Sequence, residues 1–419
     1  MNSSCPSCGA WVDGAGSTAL FDMGYSALAA AGGTLYVADY SHGAVRTVDA
    51  ASGATATLIG SYTQYSWGRA PVNNDIAGVG TAASIYLPAA IAVPAAGGVA
   101  YVAGQAVLWA VDLTTAATTR LRSLPKQCVY FYCGLAITPD GATLYAGLGA
   151  SSVYAITSGE RLASPHATPS ATASPSPAAP PPTPPPSPTP WVRTLAGGGR
   201  AGISSCATRP FGLGGQSFGA DLSAWPNDGA ASSAVFCALG GIHAAPGGTV
   251  YIADQCAVRA YDGASVRTVF GRPSSCNLGG GVGTSASLAS PIYSMFHDGT
   301  LGAAGSLFMC ATTAVMRADL ATSQVTNYVG FAPGWVDGVG LEARFGMNSV
   351  GPGSYITGDG AGTLCVVAVV RHSAAGRSRQ KFGFGVPTLA LSLRATLRTP
   401  PPMLRLLSRA ATSPTRSTT

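Results

Sequence analysis

A chain of 419 residues, 47% hydrophobic and only 10% charged, can bury a sizeable core but is poorly equipped to build helices. It has 55 Gly and 30 Pro, yet only two lysines (Lys126, Lys381) and two glutamates (Glu160, Glu342), a makeup that suits short strands joined by Gly-rich turns. The net charge of +6 is unevenly placed: residues 371–419 carry nine Arg/Lys and no Asp or Glu, which leaves residues 1–370 at −3. A basic tail attracts acidic polymers or lipid, but no aromatic-interleaved basic face accompanies it, so no nucleic-acid partner is expected.

The chain opens on MNSSCPSCGAWVDG, which has neither a basic start nor an apolar run, so no signal peptide is visible. It then passes almost at once into WVDGAGSTALF (11–21), which suggests that an upstream region is missing. Residues 87–111 carry no charge and are long enough to span a bilayer. Pro88, Pro94 and Gly97-Gly98 break them into two short β-rich runs, so no transmembrane segment is expected.

Internal similarity organises the rest. GGTLYVADYSHGAVRTVDAASGATATLIG (32–60) recurs as GGTVYIADQCAVRAYDGASVRTVFG (247–271), with weaker copies at 97–121, 141–159, 305–330 and 362–370. Each full copy has an apolar run, a turn, an alternating run, a Gly/Ser/Thr turn and a last run ending in Gly. A DGxG…F signal and another short apolar run precede the best copies. Four short strands per unit, 50 to 75 residues apart where no insertion intervenes, are what a β-propeller blade requires. The fold expected is all-β: a propeller of six four-stranded antiparallel blades, the last incomplete. The units are 11–60, 61–124, 125–196, 197–271, 272–330 and 331–370, within one body of residues 1–370.

GWVDGVGLEARF (334–345), GTLYVADYSHGAVRTVD (33–49) and TLIG (57–60) resemble the NHL repeat, whose loose pattern is an Asp-Gly start, LYVAD, R-x-V and Gly. The resemblance covers roughly residues 11–370 and implies a β-propeller, commonly six-bladed; it speaks to fold and not to activity. Asp39 and Asp254, the acids of YVAD and YIAD, are expected to accept hydrogen bonds from turn N–H groups, with Arg46 and Arg259 in the same internal network. The Asp-Gly pairs, Asp13-Gly14 and Asp337-Gly338 among them, read as turn chemistry because Gly takes positive φ without steric cost.

Residues 164–190 hold twelve of the thirty prolines and read as a polyproline II or disordered insert. SSVYAITSG (151–159) before it reads as a third strand, and WVRTLAGG (191–198) after it as the closing strand, so the insert interrupts one blade. Its Ser-Pro and Pro-Pro-Pro runs resemble the hydroxyproline-rich rods of plant and green-algal cell-wall glycoproteins, which implies hydroxylation, O-glycosylation and an extracellular or cell-wall location.

Ten cysteines suit an oxidising compartment. Cys128/Cys133, Cys206/Cys237 and Cys256/Cys276 are disulfide candidates, while Cys256 and Cys310 also read as small buried apolar residues at strand ends. Cys5-x-x-Cys8 is half of a zinc site with no second pair to complete it, so neither metal nor other cofactor is expected. Propeller enzymes of the gluconolactonase-like class need a Glu with Asp and Asn around a metal, and amidating lyases need zinc-binding histidines. Here Glu160 borders the insert, Glu342 lies in a turn, and His42, His166, His243, His297 and His372 share no ligand spacing. No GxSxG, phosphate loop or HExxH is present.

After GTLCVVAVV (362–370) the blade pattern ends and the basic tail begins; a departure from the reading frame near residue 370 is expected. The sequence thus points to a non-catalytic propeller that binds a protein or glycan on one face. The alternatives are a metal-dependent propeller hydrolase or lyase and an intracellular protein-interaction propeller. Mass spectrometry of residues 164–190 separates the first from the last: hydroxyproline carrying pentose supports a wall-type rod, and bare proline in a fully reduced protein supports the intracellular reading.

Overall fold

The computed structural model describes residues 12–15, 19, 27–60, 75–128, 133–149, 152–157, 191–196, 228–236, 239–272, 276–289, 292–300, 304–311, 313–332, 340–344, 355–358 and 364–367. The Pro/Ser-rich stretch 164–190, the tail 371–419, Cys5, Cys8, Glu160, His166, Cys206, Cys237, Asp337, Gly338 and His372 lie outside the described residues.

Each repeat folds as one antiparallel sheet. Blade 1 contains β1 (Gly14–Ala15), β2 (Ala27–Ala31), β3 (Thr34–Asp39), β4 (Ala44–Asp49) and β5 (Ala54–Ile59), ordered β1-β5-β4-β3-β2 across the sheet. Blade 2 is β6 (Ala90–Ala92), β7 (Val99–Ala103), β8 (Val107–Asp112) and β9 (Thr118–Ser123). Blade 3 is β10 (Cys133–Ile137), β11 (Thr143–Leu148), β12 (Ser152–Thr157) and β13 (Trp191–Ala196). Blade 4 comprises β14 (Gly229–Ala230), β15 (Leu239–Ala244), β16 (Val250–Asp254), β17 (Ala257–Tyr261) and β18 (Ser265–Gly271). Blade 5 comprises β19 (Gly281–Val282), β20 (Ser294–Asp298), β21 (Ser306–Cys310), β22 (Val315–Asp319) and β23 (Gln324–Val329). A two-stranded sheet, β24 (Tyr355–Gly358) and β25 (Leu364–Val367), completes the described strands.

The inner strands follow one another around a ring: β2 packs on β6, β6 on β10, β10 on β15, β15 on β20, β20 on β24 and β24 on β2. The expected count of six blades is therefore corrected to five. The sixth place in the ring holds only the β24–β25 pair among the described residues. The uncharged stretch 87–111 contributes three strands rather than two runs, and no described helix is long and apolar enough to cross a membrane. Blade 3 closes across the proline-rich stretch: β12 pairs with β13, Thr157 opposite Trp191.

Side chains of a strand point alternately to its two faces, and here both faces are apolar, so the core lies in the seams between blades. Val45 and Ile59 of blade 1 pack with Val102 and Trp109 of blade 2. Leu108 and Tyr101 of blade 2 meet Leu135 and Leu144 of blade 3. Phe270 of blade 4 meets Met295 and Met316 of blade 5.

A second contact locks successive blades. In four places a 3-10 turn at the start of a repeat packs on the last strand of the blade before: Gly80–Ala82 on β5, Ala231–Ser233 on β13, Gly283–Ser285 on β18 and Gly340–Glu342 on β23. The residue after each turn is an alanine. Ala83, Ala234, Ala286 and Ala343, with Ala19 at the same repeat position, are all 2% exposed or less. This alanine sits six residues after the first residue of the Asp-Gly signal and belongs to the seam, as Ala286 does beside Phe270.

The third strand ends in its own turn device. Asp49, Asp112, Asp262 and Asp319 each accept two backbone N–H groups from residues two and three positions on. These bonds from Ser265 and Ala264 draw the Asp262 carboxyl down to about 2.

Ala286→Leu should lower stability by about 1–3 kcal/mol, because a larger side chain overpacks a filled seam. Ala54→Leu, at an exposed position, should change it by less than about 0.5 kcal/mol. Urea midpoints at constant m-value read both; equal midpoints would remove the alanine from the seam's packing.

Candidate functional site: ion networks in two blades and a histidine seam

The repeated acids and arginines meet inside blades 1 and 4. Arg46 is fully buried. Its Nη2 donates to Asp13 Oδ1 at 2.7 Å and to the Val12 carbonyl at 2.7 Å, and its Nε reaches Asp13 Oδ1 at 3.2 Å. Asp39 lies 3.8 Å from Nη1 and is bonded to His42 Nδ1 at 2.9 Å. Burial would raise the Asp13 carboxyl, but the bonds from Arg46 and Thr57 outweigh it and hold that carboxyl below its ordinary value. Blade 4 repeats the plan. Arg259 reaches Asp228 Oδ1 at 3.0 Å and Asp254 Oδ2 at 3.4 Å, and its guanidinium lies 4.9 Å over the Phe236 ring.

The Asp-Gly pairs therefore divide in two. Asp13 and Asp228 are acceptors for a buried arginine, and each also takes a backbone N–H from the last strand of its blade, Thr57 at 2.9 Å and Thr268 at 2.8 Å. Asp140 and Asp262 make turns of the expected kind, with Gly141 and Gly263 at φ 72° and 103°. Asp39 Oδ1 is bonded to the His42 side chain rather than to the turn N–H groups expected, and its Oδ2 faces Arg46 as an ion pair at 3.8 Å without a hydrogen bond.

The other blades show why these residues travel together. In every blade the third strand carries a register shift against the fourth, and the residue just after it is Arg46, Trp109, Tyr154, Arg259 or Met316. At the second-strand position occupied by Asp39 and Asp254, blades 2, 3 and 5 place Gly104, Leu148 and Ala311. At the Asp13 position, blades 2 and 5 have Ala77 and Gly280. Arginine occurs with both acids or not at all, because a buried charge that loses its partner is costly, whereas an apolar set of similar volume is not.

Two of the three cysteine pairs fall among described residues. Cys128 is joined to Cys133 with Cα atoms 5.1 Å apart, and Cys256 to Cys276 at 5.2 Å. The second bond ties the turn between β16 and β17 to the segment leading into blade 5. Cys310 is a free, buried thiol that burial pushes well above its ordinary range.

Sequence spacing did not bring the histidines together, but the fold pairs two of them. His243 on β15 and His297 on β20 face each other between blades 4 and 5 with ring centroids 6.4 Å apart. Phe296 meets His243 edge-on at 5.6 Å, and Tyr251 stacks on His297 at 6.4 Å. Among the described residues no group of three or more His, Cys, Asp or Glu is placed to hold a metal ion. His42 is absorbed by Asp39, and Glu342 lies exposed in a 3-10 turn.

Five antiparallel blades arranged around a ring define a β-propeller. No protein-family model matches the chain, and no curated protein is similar to it. Among solved structures, a protein of unknown function from Bacteroides thetaiotaomicron is similar at a TM-score of 0.53 and 14% identity, over 86% of this chain and 70% of that one. An auxiliary nutrient binding protein from the same organism aligns at 0.47 and 11% identity, over 80% of this chain and 63% of that one. Another, from Bacteroides ovatus, aligns at 0.46 and 14%, over 83% of this chain and 65% of that one. The first likeness is one of fold; the other two are too distant to carry an argument.

Arg259→Met alone should cost about 3–5 kcal/mol, since it strands Asp254 in the interior. The triple change Asp228→Gly, Asp254→Ala and Arg259→Met, which writes the blade 5 set into blade 4, should recover most of that loss. Denaturant unfolding of the two variants compares them; a triple variant less stable than the single one would refute the all-or-none rule.

Proposed function

We propose that this chain is a non-catalytic propeller of the NHL-repeat kind, a scaffold that binds a protein or glycan ligand on one of its faces outside the cell or in the cell wall. One observation carries the reading. The charges that recur with the repeat, Asp13, Asp39 and Arg46 in blade 1 and Asp228, Asp254 and Arg259 in blade 4, interact with one another inside their own blades. Asp39, Arg46, Asp254 and Arg259 are fully buried, and Asp13 and Asp228, with side chains 40% and 43% exposed, are engaged by the two arginines, so the set serves to hold strands in place. A rigid ring that leaves its connecting loops free to vary is the usual platform for binding by loops. The two cysteine pairs at bonding geometry favour an oxidising compartment, and the Pro/Ser-rich segment entering between β12 and β13 suits a spacer projecting from blade 3.

Binding of the full chain to arrays of cell-wall glycans and secreted proteins tests this directly. Saturable binding of one class, unchanged by a metal chelator, is the expected result. One tightly bound divalent ion per purified chain, together with turnover of a lactone or peptidylglycine substrate that the chelator abolishes, would replace the scaffold with a propeller hydrolase or lyase.

A further inference from the structure

The seam between blades 4 and 5 is pinned by backbone at one place and carries two titratable rings at another. Gly241 N–H donates to the Ile292 carbonyl at 3.2 Å, a bond from one blade to the next. A Cβ on Gly240 would lie 2.1 Å from that carbonyl oxygen, and one on Gly241 would lie 2.7 Å from Ser294 Cα. Only glycine permits this approach. Two residues further along β15, the half-buried rings of His243 and His297 face each other across the seam, with Tyr251 and Phe296 beside them.

We propose that the histidine pair is an acid-operated latch: with both rings neutral the blade 4/5 seam is closed, and protonation drives β15 and β20 apart about the Gly240–Gly241 contact.

The surroundings favour the neutral pair. His243 faces His297 and Phe296 from β20, and its strand neighbour across β16 is Tyr251. His297 Nδ1 is buried with no hydrogen-bond partner among the described residues. Burial, and then the charge His297 would carry, push His243 down to about 3. Burial also lowers His297, opposed in part by the Asp298 carboxylate and by the Ala304 backbone. Arg267 on β18 acts on Tyr251 and adds another positive group to this side of the seam. An opened seam returns the rings to water, where histidine titrates near 6.5, so the open form binds more protons. Closure is complete above that value and is lost progressively as pH falls from 6.5 toward 3. For His243 alone, linkage makes opening about thirtyfold easier at pH 5.0 than at pH 7.5.

Amide hydrogen exchange of the full chain at both pH values, corrected for intrinsic rates, reads this. Protection across β15, β16, β20 and β21 should fall by about thirtyfold at pH 5.0, while β7 and β8 of blade 2 keep theirs. His243→Gln with His297→Gln should abolish the difference; should the pair fail to fold, His243→Gln alone should reduce it at least tenfold. Uniform protection at both pH values, an unchanged pH difference in the variants, or imidazole resonances that both titrate near 6.5 in the folded protein would overturn the latch.

Discussion

A sheet of four short strands with apolar side chains on both faces cannot persist alone in water, and everything else in this protein follows from how those faces are covered. Each blade buries one face against the blade before it and the other against the blade after. The main apolar clusters accordingly span seams, with Leu108 of blade 2 meeting Leu144 of blade 3 and Phe270 of blade 4 meeting Met295 of blade 5. A blade is in this sense half of two cores. The alanine after each 3-10 turn is the tightest expression of that constraint, since the next blade must begin against the outer strand of the last with almost no space between them.

The same packing explains the treatment of charge. The third-strand arginines Arg46 and Arg259 are fully buried, where removing their solvent costs more than one carboxylate returns. Blades 1 and 4 answer with two acids and backbone acceptors around Arg46 and Arg259. Blades 2 and 5 answer with Trp109 and Met316 and no acids. The acid–arginine set ties the outer strand to the blade's first residues, and Trp109 and Met316 fill the same position with apolar volume, so charge here is a structural alternative to volume. The histidine seam differs, because its two titratable rings face each other, two residues along β15 from the close approach of Gly240 and Gly241 to Ile292 and Ser294.

Much of the fold was legible in the repeats. LYVAD, AVRTVD and ATATLI of 34–59 became β3, β4 and β5 nearly residue for residue, because alternation and turn residues are local signals. The split of blade 3 by the Pro/Ser-rich stretch was legible too, since WVRTLA had the look of a missing fourth strand and β13 supplies it. Other features were not. The Asp-Gly pairs all look alike in sequence, and only the placement of Arg46 and Arg259 separates Asp13 and Asp228 from the turn acids Asp140 and Asp262. His243 and His297 stand 54 positions apart on different blades, so no spacing argument could have joined them.

The sequence by itself determined the class of structure, the strands and most of the turns, because each depends on residues within one repeat of about 50. The tertiary structure alone decided how many blades are complete, which acids serve a buried arginine and which serve a turn, and that two histidines share a seam. Those outcomes depend on how one repeat packs against another, and the identity of a neighbouring surface is set by the closure of the ring rather than by any pattern a single repeat can carry.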